Sequence, residues 1–204
     1  MLRVASRSRT DHRTTAERIL DVSEQLVQTR GYNAFSYADV AAELDLTKAA
    51  LHYHFAGKAE LGEALLDRYV AQFAEALEVI DAKPLDAPSK LAAYAELYLG
   101  VLQRERMCLC GMLAAEFQTL PEPMRIIVGR FFKENETWLS RVLAQGRTEG
   151  TLHFIGSSRD AARFVIAALE GAMLLARPFD DVGRFRKAVS SLIAGLRSQP
   201  EANP

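Results

Sequence analysis

Apolar residues recur three or four positions apart along most of the chain, a spacing typical of amphipathic α-helices. The first such run carries Ile19, Val22 and Leu26. It follows a Thr-x-x-Glu capping box at Thr14 and Glu17, in which each side chain satisfies a free backbone amide at a helix start. A glycine at position 31 supplies the left-handed conformation that ends a helix. The pattern therefore predicts a first helix between these two signals.

Further start and stop signals divide the rest of the chain. A second helix is predicted after Ser36 and a third from Lys48, where Thr47 can cap it and Asp45 tolerates a left-handed turn. Longer helices are predicted at 58–82, 89–104, 109–119, 121–145, 158–177 and 181–197. The apolar segment 152–155 is too short to indicate a strand of consequence. We therefore expect an all-α protein, in which an N-terminal three-helix unit is joined by a long helix to a larger C-terminal bundle.

Composition and charge narrow the class of protein. The 204 residues are 49% hydrophobic and 25% charged, with a net charge of −1, which is typical of a globular protein. Because no apolar run approaches the roughly 18 residues of a membrane span and no signal-peptide core is found, we expect a cytoplasmic protein without membrane contact. The first twenty residues are basic, with Arg3, Arg7, Arg9, Arg13 and Arg18. Residues 1–13 are expected to be a flexible basic arm that contacts a polyanion, or else a solvated tail.

The stretch LTKAALHYHF, residues 46–55, concentrates polar chemistry within a few turns of chain. His52 and His54 point about 200° apart on a helix, so they cannot share a metal ion in the way that histidines four residues apart do. No serine, cysteine or acidic residue lies at a spacing that would activate either histidine. We therefore expect no metal site, no cofactor and no enzymatic activity.

A nucleic-acid interface explains the same stretch better. A short helix, a three- to four-residue turn and a second short helix form a helix-turn-helix, whose second helix can enter a major groove. Leu46, Leu51 and Phe55 anchor this helix, while the small Ala49 and Ala50 permit close approach to DNA. The sequence thus predicts a DNA-binding site formed by Thr47, Lys48, Ala49, His52, Tyr53 and Lys58, most of which supply donors for phosphates and base edges.

The segment GYNAFSYADVAAELDLTKAALHYHFAGKAEL, residues 31–61, resembles the DNA-binding domain of the TetR/AcrR family of bacterial transcriptional regulators. The shared features are Gly-Tyr-x-x-Phe-Ser at its start, Asp-Val-Ala-Ala in the second helix, and the run Tyr53, His54, Phe55 and Lys58. The resemblance implies that operator DNA is touched by Thr47, Lys48, Tyr53 and Lys58.

Two positions depart from the family pattern. Asp45 stands where a glycine is usual, and aspartate can adopt the same turn at some cost. His52 stands where a tyrosine is usual, so its phosphate contact is expected to vary with pH near the ordinary histidine pKa of about 6.5.

For the C-terminal half, the resemblance implies effector binding and homodimerisation. The segment 158–177 is apolar around most of its circumference, so it must be buried on several sides, and a second subunit that packs on 158–177 and 181–197 is one source of this burial. The alternative is that both helices lie within one subunit's core. Candidate residues for an effector pocket are Tyr94, Tyr98, Met107, Met112, Phe117, Phe131, Trp138 and Met173, a set that is equally compatible with ordinary core packing.

The chain has two cysteines, Cys108 and Cys110, which are too few for a disulfide framework or a zinc site. Their apolar neighbours predict buried, inert thiols, because burial raises a thiol pKa. The alternative is a sensor of oxidants or electrophiles, in which Arg104 or Arg106 lowers a thiol pKa.

Together these features predict a basic arm (1–13), a helix-turn-helix domain (14–57), a connecting helix (58–82), and a ligand-binding and dimerisation domain (83–204). The favoured function is that of a homodimeric transcriptional repressor, which a small-molecule effector releases from a palindromic operator. Two alternatives remain: a helical small-molecule-binding protein without a DNA role, and a regulator that senses oxidants or electrophiles through Cys108 and Cys110.

Overall fold

The computed structural model describes residues 13–197, and this part of the chain is helical almost throughout, as predicted. It contains α1 (Thr15–Arg30), α2 (Tyr37–Leu44), α3 (Lys48–His54), α4 (Lys58–Asp81), α5 (Ala87–Leu102), α6 (Leu109–Ala115), α7 (Glu122–Thr148), α8 (Ser158–Ala176) and α9 (Val182–Leu196). Short 3-10 turns follow α6 and α8, at Phe117–Thr119 and Arg177–Phe179. In the described residues, extended pairing is limited to one antiparallel bridge between Leu152 and Arg197, and none of the helices is long and apolar enough to span a membrane.

The N-terminal unit forms through the capping signals read from the sequence. The capping box at Thr14 and Glu17 is present at the start of α1, and Ser36 and Asp39 form a second one at the start of α2. Asp45 adopts the left-handed conformation (φ 54°, ψ 45°) that turns the chain between α2 and α3. The Thr47 hydroxyl then accepts a hydrogen bond from the Ala50 amide and starts α3.

The C-terminal bundle packs around a cluster of aromatic rings. Phe73 of α4 lies 6.0 Å from the Tyr94 ring of α5 and 5.0 Å from the Phe131 ring of α7, measured between ring centroids. Helix α7 also contacts α8, which in turn packs on α9. Since α4 belongs to this core and also contacts α1, it connects the two units.

Several predicted helix ends differ from those in the structure. The segment 109–119 divides, because α6 ends at Ala115 and a 3-10 turn occupies Phe117–Thr119. The helix predicted at 158–177 ends at Ala176, just before Pro178, whose ring and missing amide do not continue an α-helix. The basic arm lies outside the described residues, apart from Arg13.

Candidate nucleic-acid interface

Helix α3 is held against the N-terminal unit by its apolar side. Leu51 is completely buried and Phe55, which directly follows the helix, is 8% exposed. The Tyr37 hydroxyl of α2 donates to the Phe55 carbonyl at 2.9 Å, which fixes the end of α3. Burial raises the Tyr37 pKa to about 12, with smaller contributions from Glu60 and Tyr32, so this hydroxyl stays a donor at physiological pH. The position of α3 is therefore determined by packing, and its outer side is available.

The predicted DNA-contacting residues of α3 lie together on that outer side. Lys48, Ala49, His52 and Tyr53 are exposed and share one face of the helix, with Thr47 exposed at its start. Tyr53 is 86% exposed, an unusual placement for a large aromatic side chain. The small side chain of Ala49 leaves the helix backbone approachable. The geometry is that of a recognition helix with its donors directed outward.

His52 is oriented by two neighbours. Its ring lies 4.8 Å from the Tyr37 ring, and its Nδ1 lies 3.0 Å from the Ala56 carbonyl oxygen. Since a carbonyl accepts, Nδ1 carries the hydrogen, and in the neutral ring Nε2 is then an acceptor. The phosphate contact of His52 remains a prediction.

Lys58 is placed differently from the rest of the predicted set. Its ammonium donates to the Phe35 carbonyl at 2.6 Å and lies 4.5 Å and 4.6 Å from the centroids of the Tyr32 and Phe35 rings. Burial lowers the Lys58 pKa, while the carboxylates of Glu116 and Asp39 act in the opposite direction. Lys58 thus fastens the segment between α1 and α2, and its predicted phosphate contact remains a prediction.

The segment between α1 and α2 also rests on the C-terminal bundle. The Glu116 carboxylate, at the end of α6, accepts from the Tyr32 amide at 2.6 Å and from the Asn33 amide at 3.3 Å. Gly31 has φ of 93°, and a Cβ at this position would come within 2.7 Å of Glu116 Oε1. Glycine therefore suits the backbone angle, and a Cβ at this position would push the Glu116 carboxylate from its place. Sequence reasoning missed Glu116, because a contact across 84 positions leaves no local signal.

Most of the predicted pocket residues form the packed core of the bundle. Tyr94 and Tyr98 are buried, and the Tyr94 hydroxyl donates to Asn135 Oδ1 at 2.9 Å. Asn135 is buried as well and donates to the Phe131 carbonyl, so the polar atoms of this cluster are satisfied internally. The Trp138 indole donates to Asp81. These residues therefore pack as ordinary core, which is one of the two interpretations that their helical spacing allows.

A cavity of about 420 Å³ lies beside this core, between α6, α7 and α8. Of the residues predicted to form a pocket, Met107 and Met112 line this cavity. Met173 is instead buried in the core, and Phe117 is 38% exposed in the 3-10 turn. Glu170 of α8 contributes a carboxylate to the cavity wall and was not predicted. The sequence feature that could have indicated Glu170 is its position as an acid within the apolar run FVIAALEGAMLLA.

The two cysteines are buried, as predicted. Cys108 caps α6 by accepting from the Gly111 amide at 3.5 Å, and it also accepts from the Tyr69 hydroxyl at 3.7 Å. Burial is the main cause that raises the pKa of both thiols, and Glu170 raises it further. Arg106 is hydrogen-bonded to Gln25 of α1. This environment does not favour a thiolate, so the structure gives no support to the sensing alternative.

Two family models match the chain. Residues 19–65 match the model described as "Bacterial regulatory proteins, tetR family", and residues 87–192 match "Tetracyclin repressor-like, C-terminal domain". The chain belongs to the tetR family. It is a DNA-binding transcriptional regulator, and the outer face of α3 lies within the first of the two matched regions.

Individual tetR-family proteins resemble the chain over nearly its whole length. A TetR transcriptional regulator from Legionella pneumophila is 32% identical, with a TM-score of 0.84, over 92% of this chain and 100% of that one. A TetR-family regulator from Agrobacterium tumefaciens is 29% identical, with a TM-score of 0.85, over 89% and 97%. The HTH-type transcriptional repressor NemR of Escherichia coli (strain K12) is 26% identical over 91% of this chain and 96% of its own length.

Proposed function

We propose that this tetR-family regulator is a homodimeric, non-enzymatic repressor, which binds a palindromic operator through α3 and releases it when a small-molecule effector binds. The single observation that carries the proposal is the outer face of α3. There a lysine and a tyrosine are exposed on a helix that Leu51 holds in place from behind. The name of NemR supports repression rather than activation.

The operator contacts proposed for α3 differ in kind. Thr47, at the start of the helix, can donate to phosphates, and the exposed His52 is a second proposed contact to the phosphate backbone. Lys48 and Tyr53 point outward from the helix and can reach base edges, where a good contact discriminates by about 1–3 kcal/mol. Ala49 lets the helix approach the groove. Lys58 contributes positive charge near the start of α4, although its ammonium is engaged by Phe35.

The proposed dimer interface consists of the outer faces of α8 and α9. Phe164 and Leu175 of α8 are 62% and 68% exposed, and the smaller Ala168 and Ala172 lie between them on the same face. On α9, the exposed residues Ala188, Ser191 and Gly195 share one face. The inner side of α8 is buried in its own subunit, which accounts for part of its apolar circumference and leaves the outer face for the proposed partner. An exposed apolar stripe of this kind supports association.

In this proposal, α6 transmits effector binding from the cavity to the DNA-binding unit. Helix α6 forms one wall of the cavity, and Glu116 directly follows α6 and holds the Tyr32 and Asn33 amides. The Met107 amide, just before α6, donates to the Gln28 carbonyl of α1 at 3.1 Å. A ligand that displaces α6 therefore displaces the support of α1 and α2.

Selection of DNA by the purified full-length protein tests the proposal. Duplexes retained from a random pool should converge on an inverted repeat, and affinity for the selected duplex should fall steeply with salt as counterions are released. A pool that does not enrich any sequence would refute the operator-binding proposal and favour a helical ligand-binding protein without a DNA role.

A further inference from the structure

The cavity between α6, α7 and α8 has walls that are almost entirely apolar. Its volume of about 420 Å³ is within the range of small-molecule sites, which is about 300–1,000 Å³. The apolar side chains that line it include Met107, Met112, Phe132, Ile166 and Leu174. Methionine side chains adapt to ligands of different shape, so these walls suit an apolar body without selecting one.

Glu170 places a carboxylate in this apolar surrounding. It lies against Gly111 of α6, where any Cβ would overlap with Glu170 Oε2, so glycine makes room for the acid. Its other oxygen, Oε1, is buried without a hydrogen-bond partner. Among residues 13–197, Glu170 has no lysine or arginine within ion-pair distance, and the guanidinium in the cavity lining, that of Arg163, is paired with Glu136 and Asp160.

A buried carboxylate in this position is poorly satisfied by the protein. Burial raises the Glu170 pKa to about 7, and the Cys108 thiol, which hydrogen-bonds to the carboxylate, acts in the opposite direction. The carboxylate can be satisfied by a proton or by a positive charge that enters the cavity. An anion would be repelled, and a neutral apolar compound would leave Oε1 without a partner.

We propose that the cavity binds a hydrophobic cation, with one ammonium centre on an apolar body, and that the Glu170 carboxylate is its counter-ion. The ammonium lies against the Glu170 carboxylate, and the apolar body lies among Met112, Phe132 and Ile166. The proposal rests on the proposed function only where it takes binding in the cavity to release the operator.

Three probes of nearly equal shape test the charge preference: 4-phenylbutylamine, 4-phenylbutanol and 4-phenylbutyrate. Calorimetric titration into the full-length protein at pH 8 should show that the amine binds at least about tenfold more tightly than the alcohol, and that the carboxylate binds more weakly than both. The Glu170→Gln variant should bind amine and alcohol about equally. Glu134→Gln, an exposed acid of α7, is the matched control and should retain the preference.

The pH dependence gives an independent readout. As the pH falls from 8 to 6, Glu170 takes up a proton that the cation must displace, so amine affinity should fall by about tenfold per unit once the pH is below 7. The tyrosines and cysteines near Glu170 have raised pKa values and stay neutral in this range; they are Tyr69, Tyr94, Tyr98, Cys108 and Cys110. The cavity lining also contains Glu136 and Arg163, which form an ion pair with each other. The amine affinity of Glu170→Gln should be nearly independent of pH.

The remaining outcomes each refute one part of the proposal. Equal binding of amine and alcohol, or a preference that persists in Glu170→Gln and disappears in Glu136→Gln, refutes Glu170 as counter-ion. If none of the probes binds, the proposal that the cavity binds a hydrophobic cation is refuted. Circular dichroism and melting show whether Glu170→Gln remains folded. Amine binding that depends on Glu170 but does not release the selected duplex leaves the site standing and refutes effector release.

Discussion

At the scale of single residues, two lysines of the N-terminal unit have different roles. Lys48 is exposed on the outer face of α3, whereas the Lys58 ammonium is engaged by a backbone carbonyl and two aromatic rings. The sequence assigns both to DNA, since each is a cation beside the helix-turn-helix. The partners of Lys58, Tyr32 and Phe35, are more than twenty positions away, so only the fold reveals its structural role.

Replacement of Lys58 by methionine should therefore destabilise the protein in the absence of DNA. The variant keeps an apolar stem but leaves the Phe35 carbonyl without its donor, a loss of about 1–3 kcal/mol in the free energy of unfolding. Chemical denaturation measures this loss, and Lys48→Met, a change at an exposed lysine, is the matched control with little expected effect. A Lys58→Met protein as stable as the wild type, yet deficient in operator binding, would instead make Lys58 a phosphate ligand.

The cysteines present a second residue-scale test. Because Cys108 and Cys110 are buried and their pKa values are raised, iodoacetamide should label the native protein at pH 7 far more slowly than the denatured protein. Mass spectrometry over time provides the rates. Rapid labelling of the native protein, accompanied by operator release that a Cys108→Ser, Cys110→Ser double variant abolishes, would revive the sensing alternative.

At the scale of elements, α6 links the cavity to the segment between α1 and α2. The link depends on the Glu116 carboxylate, which accepts from two consecutive backbone amides beside Gly31. Helix spacing predicted α6 but placed its end at residue 119. The chain leaves the α-helix at Glu116 and thereby presents this carboxylate to the other unit.

The Glu116→Ala variant should loosen this contact without unfolding the bundle. Hydrogen bonds to a charged acceptor contribute about 1.5–3 kcal/mol, so the Tyr32 and Asn33 amides should exchange with deuterium at least about tenfold faster. Gln118→Ala, in the exposed 3-10 turn, is the control and should not alter exchange. Unchanged protection of Tyr32 and Asn33 in Glu116→Ala would show that Glu116 does not support the DNA-binding unit.

At the scale of the whole molecule, much of the architecture could be predicted from the sequence. Thr14, Ser36 and Asp45 are local signals, and each acts within a few residues of its own position. The effector site could not be predicted in the same way. Tyr94 and Phe131 have the same helical spacing whether they line a pocket or fill a core, and the difference depends on how α4, α5 and α7 approach one another.

The dimer is the whole-molecule feature most open to direct test. Phe164→Glu places a charge in the proposed interface of α8 and should convert the dimer into a monomer at micromolar concentration. Sedimentation equilibrium distinguishes the two states. Ile126→Glu changes an equally exposed apolar residue on α7 and should leave the dimer intact. Persistence of the dimer in Phe164→Glu would move the interface away from α8.

The affinity of α3 variants for the selected duplex tests the central claim most directly. Gel-shift titration of Lys48→Ala and Tyr53→Phe should show weaker binding, about 1–3 kcal/mol for Lys48→Ala if it contacts a base edge, with unchanged circular dichroism and dimerisation. Lys187→Ala, at an exposed lysine of α9, should bind as the wild type does. Wild-type affinity in both α3 variants would contradict the assignment of this helix face to operator DNA.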